Sequence, residues 1–104
     1  HPHEDWAETC AHFLHLVDIV DSAQASGLQW RALADAGPEF DAYATPTPEP
    51  LLTVAAALGI DLNHVNRAMG HYDVYPFIMT AVTREKLAFV HRWIKAAAWP
   101  NPAV

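Results

Sequence analysis

The stretch richest in reactive groups is His3-Glu4-Asp5-Trp6-Ala7-Glu8-Thr9-Cys10-Ala11-His12, close to the start of the chain. Glu4 and Glu8 stand four residues apart, so on a helix both carboxylates leave the same side, one turn from each other. Two carboxylates in that relation can bind a metal with one group and steady a further ligand with the other. They can also serve their own helix, because acids in a first turn stabilise its positive end by about 0.3–1 kcal/mol each. Spacing alone favours that plainer role. His12 and His15, three apart, are close enough to share a metal, although hydrogen bonds to nearby helix and loop groups are the simpler use of both. His64, His71 and His91 are scattered and read as surface or capping residues. Cys10 falls on the apolar side of its helix and reads as a small buried hydrophobe rather than a nucleophile. The sequence holds no CxxC, no glycine-rich phosphate loop and no Ser/His/Asp arrangement.

Helices must position these groups. Over residues 3–26, Trp6, Cys10, Phe13, Val17 and Val20 recur at steps of four, three, four and three, one apolar face of a helical period. Gly27 is a natural stop. A short helix fits Leu28 to Ala36, ended by Gly37-Pro38. Residues 45–50, with three prolines, predict an extended, polyproline-like surface connector between two helical halves. Residues 50–69 carry a nearly continuous apolar stripe that ends at Gly70; Gly59 leaves open one kinked helix or two, the second capped by Asp61. Tyr72 to Met79 predicts an aromatic loop, in which Tyr72, Tyr75 and Phe77 either line a cleft or pin the loop to the core. Asn63, Asn66 and Arg67 are placed to tie that loop to its helix, with Arg67 pairing Asp73 or an acid of the first half. Thr80 caps a last helix over 81–98, with Val82, Leu87, Val90, Trp93 and Ile94 turned inward; Trp99-Pro100 closes it and the final four residues should be loose. The reading is all-α: one bundle of four to five helices over residues 1–104. Trp6, Phe13, Val17, Leu58, Leu62, Val65, Leu87, Val90 and Ile94 are expected to be mostly buried.

Composition removes several functional classes. At 104 residues, 52% hydrophobic and 17% charged, the chain has room for one core and is not disordered through low hydropathy. Residues 1–52 carry nine acids against one base, and residues 53–104 three acids against five bases, giving −8 and +2 and a total of −6. Six scattered bases on an acidic chain make a poor nucleic-acid surface. No apolar run approaches the ~20 residues of a membrane span. A single cysteine excludes an internal disulfide framework and points to the cytoplasm. The opening residues show no initiator methionine or leader, which reads as the interior of a longer protein whose upstream part is missing.

Four ordered motifs add a resemblance. His1-Pro2, then Glu4-Asp5-Trp6-Ala7-Glu8-Thr9 and Ala11-His12-Phe13-Leu14-His15, resemble the HP-x-EDWAE-T-x-AH-[YF]-LH stretch of a bacterial zinc-binding metallopeptidase family. Leu62-Asn63-x-Val65-Asn66-Arg67-Ala68-Met69-Gly70 is similar to that family's LNxLNRSMG, Asp73-Val74-Tyr75-Pro76-Phe77 to its DLYPF, and Glu85-Lys86-Leu87-x-Phe89-Val90-His91 to its EKLxFVH. The matches run through most of residues 1–95 and diverge at 28–61.

The resemblance implies a gluzincin-like site, with two histidine ligands from an HExxH helix and a glutamate from a later helix. Carried over, Glu4 is the glutamate zinc ligand and Glu8 a partner one shell out; His12 and His15 are weaker candidates. A His₂Glu set with water is a catalytic zinc arrangement, and the HExxH glutamate its general base. This chain departs from the pattern where it matters most: His3-Glu4 is followed by Asp5-Trp6-Ala7, so it contains no HExxH. The general base and two ligands are therefore expected upstream, and the chain by itself is expected to be inactive and to hold no zinc tightly. The expected role is that of a C-terminal helical subdomain of a zinc metallopeptidase. Its partners would be the HExxH-bearing lobe, a peptide or protein substrate and, through an exposed apolar face, possible further copies of itself. The alternative is a stand-alone interaction module with an acidic first helix.

Overall fold

A computed structural model describes residues 2–73, 75 and 79–97, arranged as four helices: α1 (Pro2–Ala25), α2 (Arg31–Ala36), α3 (Pro48–Ala68) and α4 (Ala81–Ala96). Among the described residues there is no strand. α1 packs on both α3 and α4, α3 also contacts α4, and α2 leans on α3. The core is their shared interior: Phe13, Leu16, Val17 and Val20 of α1; Leu51, Leu52, Val54, Ala55 and Leu58 of α3; Leu87 and Val90 of α4.

Local chemistry explains the boundaries. α1 and α3 end alike, each with a glycine just past the last turn. Gly27 (φ 84°) and Gly70 (φ 79°) adopt the left-handed backbone that other residues avoid. Their amides bond Gln24 O and Arg67 O, and the following amides, of Leu28 and His71, reach back to Ala23 O and Asn66 O. Those paired bonds satisfy carbonyls that the helix end leaves open. α4 starts as expected at Thr80, whose hydroxyl accepts from the Thr83 amide at 3.1 Å.

The proline-rich segment differs from expectation. Instead of a surface connector running to Pro50, α3 begins at Pro48, and Thr45 and Pro48 are buried. Pro48 and Pro50 both fall in the first turn, where an N–H has no acceptor within the helix and a fixed φ is already helical. Nor does α3 break at Gly59; it is one helix, and Asp61 caps nothing.

Three expected core residues lie outside. Val65 is 56% exposed, because the buried positions of α3 stop at Gly59 and its last turns carry none. Val82 (60%) and Trp93 (54%) are exposed with Phe89. At 100° per residue these three share one side of α4, turned roughly 130° from the mean direction of Leu87, Val90 and His91. Trp6, Leu62 and Ile94 are half-buried against the core rather than within it, as is Cys10. α4 ends at Ala96, capped by Ala97, two residues short of the expected 98; Trp99-Pro100, the tail after it, and Phe77 lie outside the described residues.

Candidate functional site

The N-terminal half of α1 forms one wall of a groove whose other wall is the start of α4. Asp5, Glu8, Thr9, Ala11, His12 and His15 face Thr83, Lys86 and Leu87 across a space of about 580 Å³. Glu8, His12 and His15 thus share one groove. Glu4 is exposed a turn earlier on α1 and is not among the lining residues. Lys86 bridges the walls, donating to Asp5 Oδ1 at 2.8 Å. Both partners are about half exposed, so this link defines the groove's edge more than it stabilises the fold.

His12 connects the groove to the loop after α3. Its Nε2 lies 2.7 Å from the Tyr75 hydroxyl, with ring centroids 5.4 Å apart. Burial, with a smaller contribution from His15, holds the imidazole below its ordinary pKa, while burial pushes the Tyr75 phenol above its own. Tyr75 is only 7% exposed. Asn63 clamps its backbone from both sides, its Oδ1 accepting from Tyr75 N at 2.8 Å and its Nδ2 donating to Tyr75 O at 2.7 Å. Nearby, Arg67 makes a two-pronged bond to Asp73, both contacts 2.7 Å, and Asn66 donates to Tyr72 O at 3.2 Å. The Arg67 guanidinium holds the Asp73 carboxyl below the usual carboxylate range. The expected polar tie between loop and helix is therefore present, and Tyr75 pins the loop while Tyr72 stands exposed in solvent.

His91 corrects the reading of the outlying histidines as surface groups. It is 4% exposed, and its Nε2 sits 3.0 Å from Thr45 O and 3.1 Å from Thr45 Oγ1. Burial, the largest cause, holds it below the ordinary imidazole pKa; Lys95 and Arg92 act the same way, opposed by the Thr45 bond and Glu49. Its ring meets Phe13 edge-on at 6.0 Å. His64 and His71 are exposed, as expected.

Sequence reasoning missed the α4 contribution to the groove, Thr83 and Lys86, and the Thr45–His91 bond. The only sign of the latter is a histidine on the apolar side of an amphipathic helix. Among the described residues no group of three or more His, Cys, Asp or Glu is arranged to hold a metal ion. Glu4 and Glu8 are two carboxylates, fewer than the three protein ligands of a catalytic zinc shell. Among the described residues no helix is long and apolar enough to cross a membrane.

Comparison with known proteins places the chain at the level of family. The chain is 42% identical over 101 residues to an uncharacterized protein of Mycobacterium bovis and to uncharacterized proteins from two strains of Mycobacterium tuberculosis. In each case 94% of this chain aligns with 28% of the relative, so the chain spans little more than a quarter of those proteins. No solved structure matches it. Residues 1–93 match the sequence model of the family described as "putative zinc-binding metallo-peptidase", and the chain belongs to that family.

Proposed function

We propose that this chain is the helical part of a zinc metallopeptidase that supplies Glu4 as the glutamate ligand and supports the active-site cleft with the groove between α1 and α4. The observation that carries the reading is the groove itself: in a member of a zinc-peptidase family, Glu8, His12 and His15 line one open space immediately beyond Glu4 on the same helix. Glu8 orients a neighbouring group from one turn away, and the two histidine ligands and the general base come from an HExxH helix outside this chain. When bound, zinc would polarise the peptide carbonyl and acidify a water; the part of these residues is to hold and orient. The missing lobe covers the aromatic edge where Trp6 meets Phe89 and Trp93 edge-on at 6.0 and 5.4 Å. Exposed aromatics grouped in this way mark interaction surfaces.

The test is metal content. In the full-length protein, Glu4→Ala should lower zinc occupancy and peptidase activity together, and Glu8→Gln should weaken either by ~10–100-fold with the fold intact. Full zinc occupancy in Glu4→Ala would remove Glu4 from the site. Tight, stoichiometric zinc binding by residues 1–104 alone would instead favour a self-contained metal site.

A further inference from the structure

Tyr75 is fixed at every point where a side chain and its backbone can be held. Its two peptide groups bond Asn63. Its ring lies so close to Gly59 that a Cβ there would meet Tyr75 ring and Cβ atoms at 3.0–3.2 Å, tighter than ordinary contact. Its hydroxyl reaches His12 Nε2 at 2.7 Å, across 63 positions of sequence. His12 in turn lines the groove beside Glu8 and His15.

We propose that Tyr75 is the positioning residue for His12: its hydroxyl donates to Nε2, fixes the imidazole as the Nδ1–H tautomer, and presents a neutral, oriented ring to a peptide lying in the groove. The direction of the bond follows from acidity. A phenol O–H is a stronger acid than a neutral imidazole N–H, and a bare imidazole nitrogen is the better acceptor, so the tyrosine donates. Burial favours the neutral form of both partners. An Nε2 engaged in this way is withdrawn from metal binding, so His12 serves as a hydrogen-bonding group of the groove and not as a ligand. Gly59 and Asn63 belong to the same device, one giving room for the ring and the other locking the backbone. The inference rests on the metallopeptidase reading only for the identity of the groove's occupant; the bond and the tautomer do not require it.

The experiment is long-range proton–nitrogen NMR on the full-length protein labelled with ¹⁵N-histidine, in wild type, Tyr75→Phe and Gly59→Ala. The wild type should show His12 Nε2 unprotonated. Tyr75→Phe, which keeps the ring and loses the donor, should shift the tautomer population away from Nδ1–H towards Nε2–H. Gly59→Ala keeps the hydroxyl but displaces the ring, and should give a mixture. A wild-type proton on Nε2, or a Tyr75→Phe spectrum with the tautomer unchanged, overturns the proposal. A role in loop packing alone predicts that unchanged tautomer. In the peptidase assay Tyr75→Phe should lower kcat with KM and zinc content unmoved; loss confined to KM, or loss of zinc, contradicts positioning. A wild type without peptidase activity counts against the metallopeptidase reading, and the tautomer still decides the assignment of Tyr75.

Discussion

Replacing Asn63 by alanine tests whether the loop after α3 is held by the two bonds to Tyr75. Both Tyr75 peptide groups would lose their partner, and with the residue 7% exposed water can replace little of it. Each hydrogen bond contributes about 0.5–1.5 kcal/mol net, and each buried group left unpaired costs about 1–3 kcal/mol. Asn63 is half-buried, so the low end applies, about 2–3 kcal/mol for the pair. Alanine is the better helix former by about 0.6 kcal/mol, which offsets part of the loss. The expected net destabilisation is about 1.5–2.5 kcal/mol, a fall in Tm on the order of 6–20 °C for a domain of this size. Urea titration followed by tryptophan fluorescence measures it through the midpoint, with the slope unchanged. Asn63→Asp supplies the control. It keeps an acceptor for Tyr75 N but sets a carboxylate against Tyr75 O, so its deficit should shrink as the pH falls and the protonated carboxyl can donate. A midpoint for Asn63→Ala within about 0.5 kcal/mol of wild type would refute the clamp, since that is the scatter of ordinary surface changes.

Other outcomes follow from the same structure. His91 and His12 are both held below the ordinary imidazole pKa, so the unfolded chain protonates first. Stability should be full above about pH 6.5 and decline as pH falls from there towards the folded values; His91→Gln should flatten that decline in urea midpoints measured across the range. Leu52→Ala, at a position with no exposure, should cost about 2–5 kcal/mol, whereas Val65→Ala should stay within about 0.5 kcal/mol; equal losses in thermal melts would contradict the assigned burial. Trp93→Lys should leave the melting of the chain nearly unchanged while weakening its association with the rest of the protein or with a second copy. Sedimentation of the isolated parts together would detect this, and unaltered association would show that the aromatic edge is not the contact.

The helices were legible because their signals are local. The α1 stripe, the Gly27 and Gly70 stops, the Thr80 cap and the Arg67–Asp73 pair all lie within a few residues of what they affect. Glu8, His12 and His15 were visible for the same reason, as neighbours on one helical face. Pro48 and Pro50 misled because proline breaks a helix interior yet suits a first turn, and composition does not say which applies. α4 misled through its phase: it carries apolar residues on two sides, and only packing selects Leu87 and Val90 over Val82 and Trp93 as the inner set. Thr45 with His91, and Lys86 with Asp5 at the groove's edge, pair across long stretches of chain and leave no local trace.

That distance has a kinetic meaning for the groove. Its walls are the two ends of the sequence: Asp5 bonds Lys86 across 81 positions, and His12 bonds Tyr75 across 63. Contacts this remote close large loops, whose entropy must be overcome before the contact gives anything back. Single helices or adjacent pairs can form without them, but the groove cannot. It is thus a late product of folding, complete only once the last helix has docked on the first. Any fluctuation that releases α4 dismantles the groove while α1, α2 and α3 can remain together. Ligand affinity in the groove would then report whole-chain integrity, and substitutions deep in the α1–α4 contact would lower it without touching a groove residue.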